Sequence, residues 1–184
     1  MIYKKTKNKK LKHKDILLIL LIIIYIAGVF IGCDFAFKNS RNMAFIQKVT
    51  CVDLILKSAA ESKFAVYVQY LKRDLLAVCS ILILKYSGVL KGLSISVPFI
   101  IAVQNSCIYA GNLCRNNFSF FKLFLDFIIK DTSVVMIILL YTMTITTEIL
   151  NNKYNPRKEI INLSLYASTI AMVYIIDFTV KYFI

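Results

Sequence analysis

The sequence predicts an all-α fold, a polytopic membrane bundle of about five spanning helices with amphipathic helices at its interfaces. Three observations carry that prediction. Of 184 residues, 59% are hydrophobic, and the mean hydropathy of +0.69 is too high for an ordinary soluble domain. The apolar residues are gathered into runs, several of them near the roughly 17 residues that a helix needs to cross a hydrocarbon core. The basic residues, which leave a net charge of +13, flank those runs instead of forming a folded patch, as topology and anionic headgroups dictate. The whole chain, 1–184, reads as a single integral membrane domain. Membrane lipids are its expected partners, and nucleic acid is not.

Residues 1–14, MIYKKTKNKKLKHK, hold seven lysines and read as a flexible cytoplasmic tail on a lipid surface. The run 16–32 makes the first span and ends with Gly28 and Gly32 in GxxxG spacing, which lets another helix approach closely. Cys33 follows a basic start and an apolar run, the order of a lipoprotein cleavage site. Phe30 fits such a site poorly and further spans follow, so an uncleaved helix is expected and lipidation of Cys33 is the rival reading. Segment 34–63 reads as extracytoplasmic. Within it Phe45, Val49, Val52 and Leu56 form one apolar stripe, predicting an amphipathic helix on the membrane surface or on a partner.

The second span is the hardest to place. Its apolar run, 75–84, is short, so a crossing must borrow residues from either side and leaves Lys72, Arg73 and Asp74 at the interface. Lys85 and Lys91 would then mark a tight cytoplasmic turn. The stretch 86–111, YSGVLKGLSISVPFIIAVQNSCIYAG, is the organising element. Small residues recur every fourth position at Gly88, Gly92 and Ser96, and again at Ala102, Ser106 and Ala110, with Gly111 closing the run. On a helix they predict a low-relief face for close packing. Pro98 removes a backbone donor in mid-run, and Gln104 and Asn105 bring two amides to membrane depth. All three require neighbouring groups, so this helix should be enclosed by protein. Either a packing helix or a substrate path meets that requirement.

Beyond it, 118–129 (FSFFKLFLDFII) pairs Lys122 with Asp126 at i,i+4 and predicts an interfacial or re-entrant helix. The run 132–150 is another span, rich in threonines that can hydrogen-bond within or between helices. The polar segment NNKYNPRKE, with Pro156, is a turn, and 160–176 makes the closing span, with Asp177 and Lys181 one helical turn apart.

The acids at or near membrane depth are Asp126, Asp131, Glu148 and Asp177. In a five-span layout Asp131 and Asp177 fall toward the outer surface, to face each other or pair with Lys130 and Lys181, and Glu148 has Lys153 close by. An aspartyl protease of the membrane would need two acids facing each other in a Gly-rich setting that neither has, so ion pairs anchoring helix ends are the simpler reading. No catalytic set can be assembled. The single histidine, His13, lies in the basic tail, and Cys33, Cys51, Cys79, Cys107 and Cys114 contain no Cys-x-x-Cys. No metal site, phosphate-binding loop or cofactor is therefore expected, and the chain reads as a non-enzyme.

Three stretches carry a resemblance: YLKRDLLAVCSILILKYSG at 70–88, GLSISVPFIIAVQNSCIYAG with Gly92, Pro98 and Gly111, and the terminal YIIDFTVKYF containing Asp177. In these, and in the order of its elements, the chain resembles the stage II sporulation protein M family of integral membrane proteins. Asp177 stands where that family has an acid near the end of its last helix. Where the family opens its fourth span with Leu-Pro-Gln-Asn, this chain has Lys130, Asp131, Thr132 and Ser133. The resemblance implies a membrane scaffold without catalysis of its own, working with stage II sporulation proteins D and P, which degrade peptidoglycan at the septal or engulfing membrane. The residues alone also admit a small transporter or permease component, for which Pro98, Gln104, Asn105 and the acids would supply a binding device.

Overall fold

Each apolar run becomes a helix. The computed structural model describes residues 2–39, 63–113, 130–151 and 155–183, and no strand occurs among them. Five α-helices follow in order: α1 (Ile2–Lys38), α2 (Lys63–Tyr86), α3 (Ser96–Leu113), α4 (Thr132–Leu150) and α5 (Pro156–Phe183), with a short 3-10 helix (Lys91–Ile95) leading into α3. The amphipathic stripe of Phe45, Val49, Val52 and Leu56 and the helix expected at 118–129 lie outside the described residues, as do Cys51, Cys114, Asp126 and Lys153.

α1 corrects the expectation at its start. The lysine stretch is continuous with the first span, because the helix begins at Ile2. Lysine is a good helix former, and no glycine or proline precedes Gly28 to interrupt propagation from the apolar turns. At 1.5 Å per residue α1 extends about 55 Å, well beyond a hydrocarbon core of about 30 Å, so its basic turns project past the membrane zone. Nor does it stop at Gly32. It runs on to Lys38, whose Nζ pairs with Asp34 Oδ2 one turn back at 2.6 Å.

Four stretches are long and apolar enough to cross a membrane: Lys14–Lys38, Lys91–Gly111, Thr132–Leu150 and Pro156–Val180. Their outer faces expose large apolar side chains, among them Ile16, Ile19, Ile23 and Phe30 on α1 and Ile161, Leu165, Met172 and Ile175 on α5. Such continuous apolar surface is what lipid, and not water, covers. These features make the chain a multi-pass membrane protein.

The direction of each helix follows from its partners. Gly28 lies against Phe99 and Ala102, and Gly32 against Val103 and Ser106, so α1 and α3 run parallel. Along α2, Tyr67 meets Asp177, Asp74 meets Tyr174 and Lys85 meets Glu159, which makes α5 antiparallel to it. Lys130 packs over Tyr70 at one end of α4 and Glu148 reaches Lys85 at the other, so α4 is parallel to α2. The chain therefore alternates through five passes of the bundle, with α1, α3 and α5 running one way and α2 and α4 returning. The start of α1 defines an N-terminal end. The turn 87–90, Asn151 and Asn155 also lie there, and the C-terminus of α5 lies at the opposite end.

The core joins α2, α3, α4 and α5 through Val78, Ile81, Ile101, Ile138, Tyr141, Ile145 and Ile170. α1 packs at the side, with Leu21 set among Val135 and Leu139 of α4. Of the residues expected to line packing faces, Gly88 and Gly92 do something else. A Cβ at either would meet nothing within 4 Å. Gly88 ends α2 with φ of 61°, the left-handed conformation that glycine adopts without penalty, while Gly92 belongs to the 3-10 helix. A four-residue spacing of small residues is shared by helix faces and by turns, and here the turn took the first two.

Candidate functional site

The α1–α3 interface is built from the remaining small residues. A Cβ on Gly28 would lie 2.7 Å from both Ala102 Cβ and the Phe99 carbonyl oxygen, and one on Gly32 would lie 2.5 Å from the Val103 carbonyl oxygen. Cys107 Sγ donates to the Gly32 carbonyl at 3.2 Å, and Ala36, Cys107 and Ala110 form a buried cluster one turn on. Ser106, also in this seam, returns its hydroxyl to the Ala102 carbonyl at 2.7 Å. Gly111 is buried near the end of α3. Ser96 opens the helix, and its hydroxyl donates to the Leu93 carbonyl at 2.6 Å. Pro98, expected to remove a donor in mid-run, is buried in the first turn of α3, and the missing N–H falls where the 3-10 winding gives way to α. Pro98 faces Tyr25, Ile101, Val135, Ile138 and Leu139 across a gap of about 140 Å³, counting all unfilled space. That lining is apolar apart from the tyrosine hydroxyl.

Two polar clusters cap the core, and neither was assembled from the sequence. At the end opposite the N-terminus, Arg73 pairs with its neighbour Asp74, Nη2 to Oδ1 at 2.8 Å, and Tyr174 donates to Asp74 Oδ2 at 2.5 Å. Both charged residues are over nine-tenths buried. Lys130 Nζ lies over the rings of Tyr70, Tyr174 and Tyr67 at 4.4, 5.5 and 5.7 Å, an aromatic cage around an ammonium, with Asp131 Oδ1 at 3.6 Å. Tyr67 donates to Asp177 Oδ2 at 2.7 Å. Asp131 and Asp177 thus belong to the same end of the bundle, each held by a tyrosine or lysine. Asn105 is buried on α3 within hydrogen-bonding reach of Tyr25 on α1, while Gln104 beside it is half-buried.

At the N-terminal end Lys85 is 1% exposed and lies between two carboxylates, Glu148 at 2.7 Å and Glu159 closer still. Tyr86 also donates to Glu159. Glu148 thus meets a cation on α2, while Lys153, expected close by, lies outside the described residues. Glu159 also accepts from the Asn155 backbone N–H at 3.3 Å, and Asn155 Oδ1 accepts from Lys158 N at 3.2 Å. With Pro156 as the first residue of α5, this is a complete N-terminal cap that fixes the carboxylate facing Lys85.

A sequence signal for these clusters existed. Asp74, Val78, Ile81 and Lys85 fall at i, i+4, i+7 and i+11, one helical face, and all four are buried. Charges that share a stripe with core aliphatics face the interior of the bundle. Four buried side-chain atoms near the clusters or between them, Gln69 Oε1, Arg73 Nη1, Tyr141 OH and Thr146 Oγ1, have no protein hydrogen-bond partner. Among the described residues, no three His, Cys, Asp or Glu side chains are grouped to hold a metal ion. Compared with protein-family models, with curated proteins and with solved structures, the chain matches none.

Proposed function

We propose that the protein is a non-enzymatic membrane anchor and assembly platform, a reading the resemblance to the stage II sporulation protein M family makes specific. One observation carries it: buried charged groups tie α2, α4 and α5 together, Lys85 through Glu148 and Glu159, and Asp74 and Asp177 through tyrosines of the facing helix. Intramembrane charges arranged as struts build a rigid scaffold, whereas a catalytic site needs a group directed at a substrate. In this reading the N-terminal end is cytoplasmic by its lysines, and the opposite end presents the partner surface. The partners are peptidoglycan-degrading proteins, of the kind of stage II sporulation proteins D and P, at the septal or engulfing membrane of a bacterium. Affinity capture from membranes of sporulating cells is expected to recover a cell-wall hydrolase. Recovery of none, together with normal septal wall thinning in a deletion strain, would reject the sporulation form of the proposal.

A second reading, a small transporter or permease component, is favoured by Tyr141 OH and Thr146 Oγ1, two buried hydroxyls of α4 that lack protein partners between the clusters. Water reaching them would begin a polar path. Substrate-dependent flux in proteoliposomes, lost in Tyr141→Phe, would establish it; the apolar lining beside Pro98 speaks for the scaffold.

A further inference from the structure

α2 is the one helix of the five that is not apolar enough to count as a span, yet it reaches both polar clusters and is as tall as the bundle. Arg73 and Asp74 neutralise each other within the helix, and Lys72 faces outward. The charge left uncompensated on its core face is Lys85. Its two carboxylates stand 63 and 74 positions later in the chain, and the partners of Asp74 and Tyr67 stand 100 and 110 positions later. When α2 is made, none of these groups exists. We propose that α2 is a conditional span: it crosses the membrane only when the α4–α5 hairpin supplies Glu148 and Glu159 to Lys85, so that this triad sets the topology of the whole chain.

Two positions report on the crossing without reference to which side is cytoplasmic. Asn39 follows α1 at the far end, and Val89, 95% exposed, lies in the turn after α2 at the N-terminal end. Full-length chains whose native cysteines are replaced, carrying either Asn39→Cys or Val89→Cys, are treated with an impermeant thiol reagent before and after lysis. With the triad intact, the two reporters are expected on opposite sides. Glu148→Gln with Glu159→Gln removes both carboxylates from Lys85, and Val89→Cys is expected to move toward the side of Asn39→Cys, a severalfold shift in the labelling ratio. Adding Lys85→Met to that pair removes the charge and restores opposite sides, and so does the exchange of Lys85→Glu with Glu159→Lys. Opposite sides retained in the double amide variant overturn the proposal, because Lys85 would then reach the surface unaided. So does failure of both the neutral triple variant and the exchange to restore the crossing. If the double variant is degraded, its reporters are labelled on newly made chains before turnover, and the same two outcomes decide.

Discussion

Gly32 and Gly92 have the same side chain and opposite consequences. At Gly32 a larger residue meets the Val103 backbone, which cannot yield as a flexible side chain can, so Gly32→Leu should cost about 1–3 kcal/mol and separate α1 from α3. At Gly92 a methyl meets open space, and Gly92→Ala should stay within about 0.5 kcal/mol of the parent. Thermal unfolding in detergent, followed by loss of helical signal, measures both. The tyrosines divide in the same way. Tyr174→Phe strips Asp74 Oδ2 of its donor inside the bundle and should cost about 1–3 kcal/mol, whereas Tyr141→Phe deletes a hydroxyl that has no protein partner and should be neutral or stabilising. An equal loss in both variants would contradict this assignment. The small residues of the α1–α3 seam were legible as close-packing faces because the four-residue spacing of Gly28 and Gly32, and of Ala102, Ser106 and Ala110, is periodic on a helix. That the two faces meet each other was not legible, since spacing says nothing about which helix lies opposite.

Among the elements, the four apolar spans were readable from hydropathy alone, and α2 was the element in doubt. The reason lies in Arg73, Asp74 and Lys85, which lower the apolar average of a helix while being among its more buried residues. Hydropathy counts a charge as a cost and has no way to credit a partner a hundred residues away. The α4–α5 connection shows the converse: Asn155 and Pro156 announce a helix start in sequence, but the duty of Glu159 as both cap acceptor and Lys85 partner emerges only in three dimensions. Asn155→Ala should therefore cost more than the roughly 1 kcal/mol of an ordinary lost cap. It loosens a turn that positions a buried carboxylate, and a double-mutant cycle with Lys85→Met in detergent unfolding should return a non-zero coupling.

The whole molecule carries its charge in two ways that salt distinguishes. The ion pairs of Lys85 and Arg73 are shut inside the bundle, whereas the first turns of α1, which hold the seven lysines of residues 1–14, precede the apolar stretch that begins at Ile16. At ~1 M salt the screening length falls to about 3 Å, which quenches an exposed attraction to anionic lipid and leaves an internal pair nearly untouched. Raising salt from ~0.05 M to ~1 M should shift the unfolding midpoint in neutral detergent by little. Over the same range a peptide of residues 1–14 should lose its binding to vesicles containing anionic lipid, measured by co-sedimentation. Lys85 has one more consequence, and it concerns descent. Loss of Lys85 alone leaves Glu148 and Glu159 facing each other among apolar helices, whereas loss of either acid alone leaves the lysine a carboxylate, so the single step is closed at position 85 and open at 148 or 159 while the other acid stays. Chains that share this ancestry should therefore keep a lysine at 85 wherever both acids remain, and an acid at 148 or 159 wherever the lysine remains.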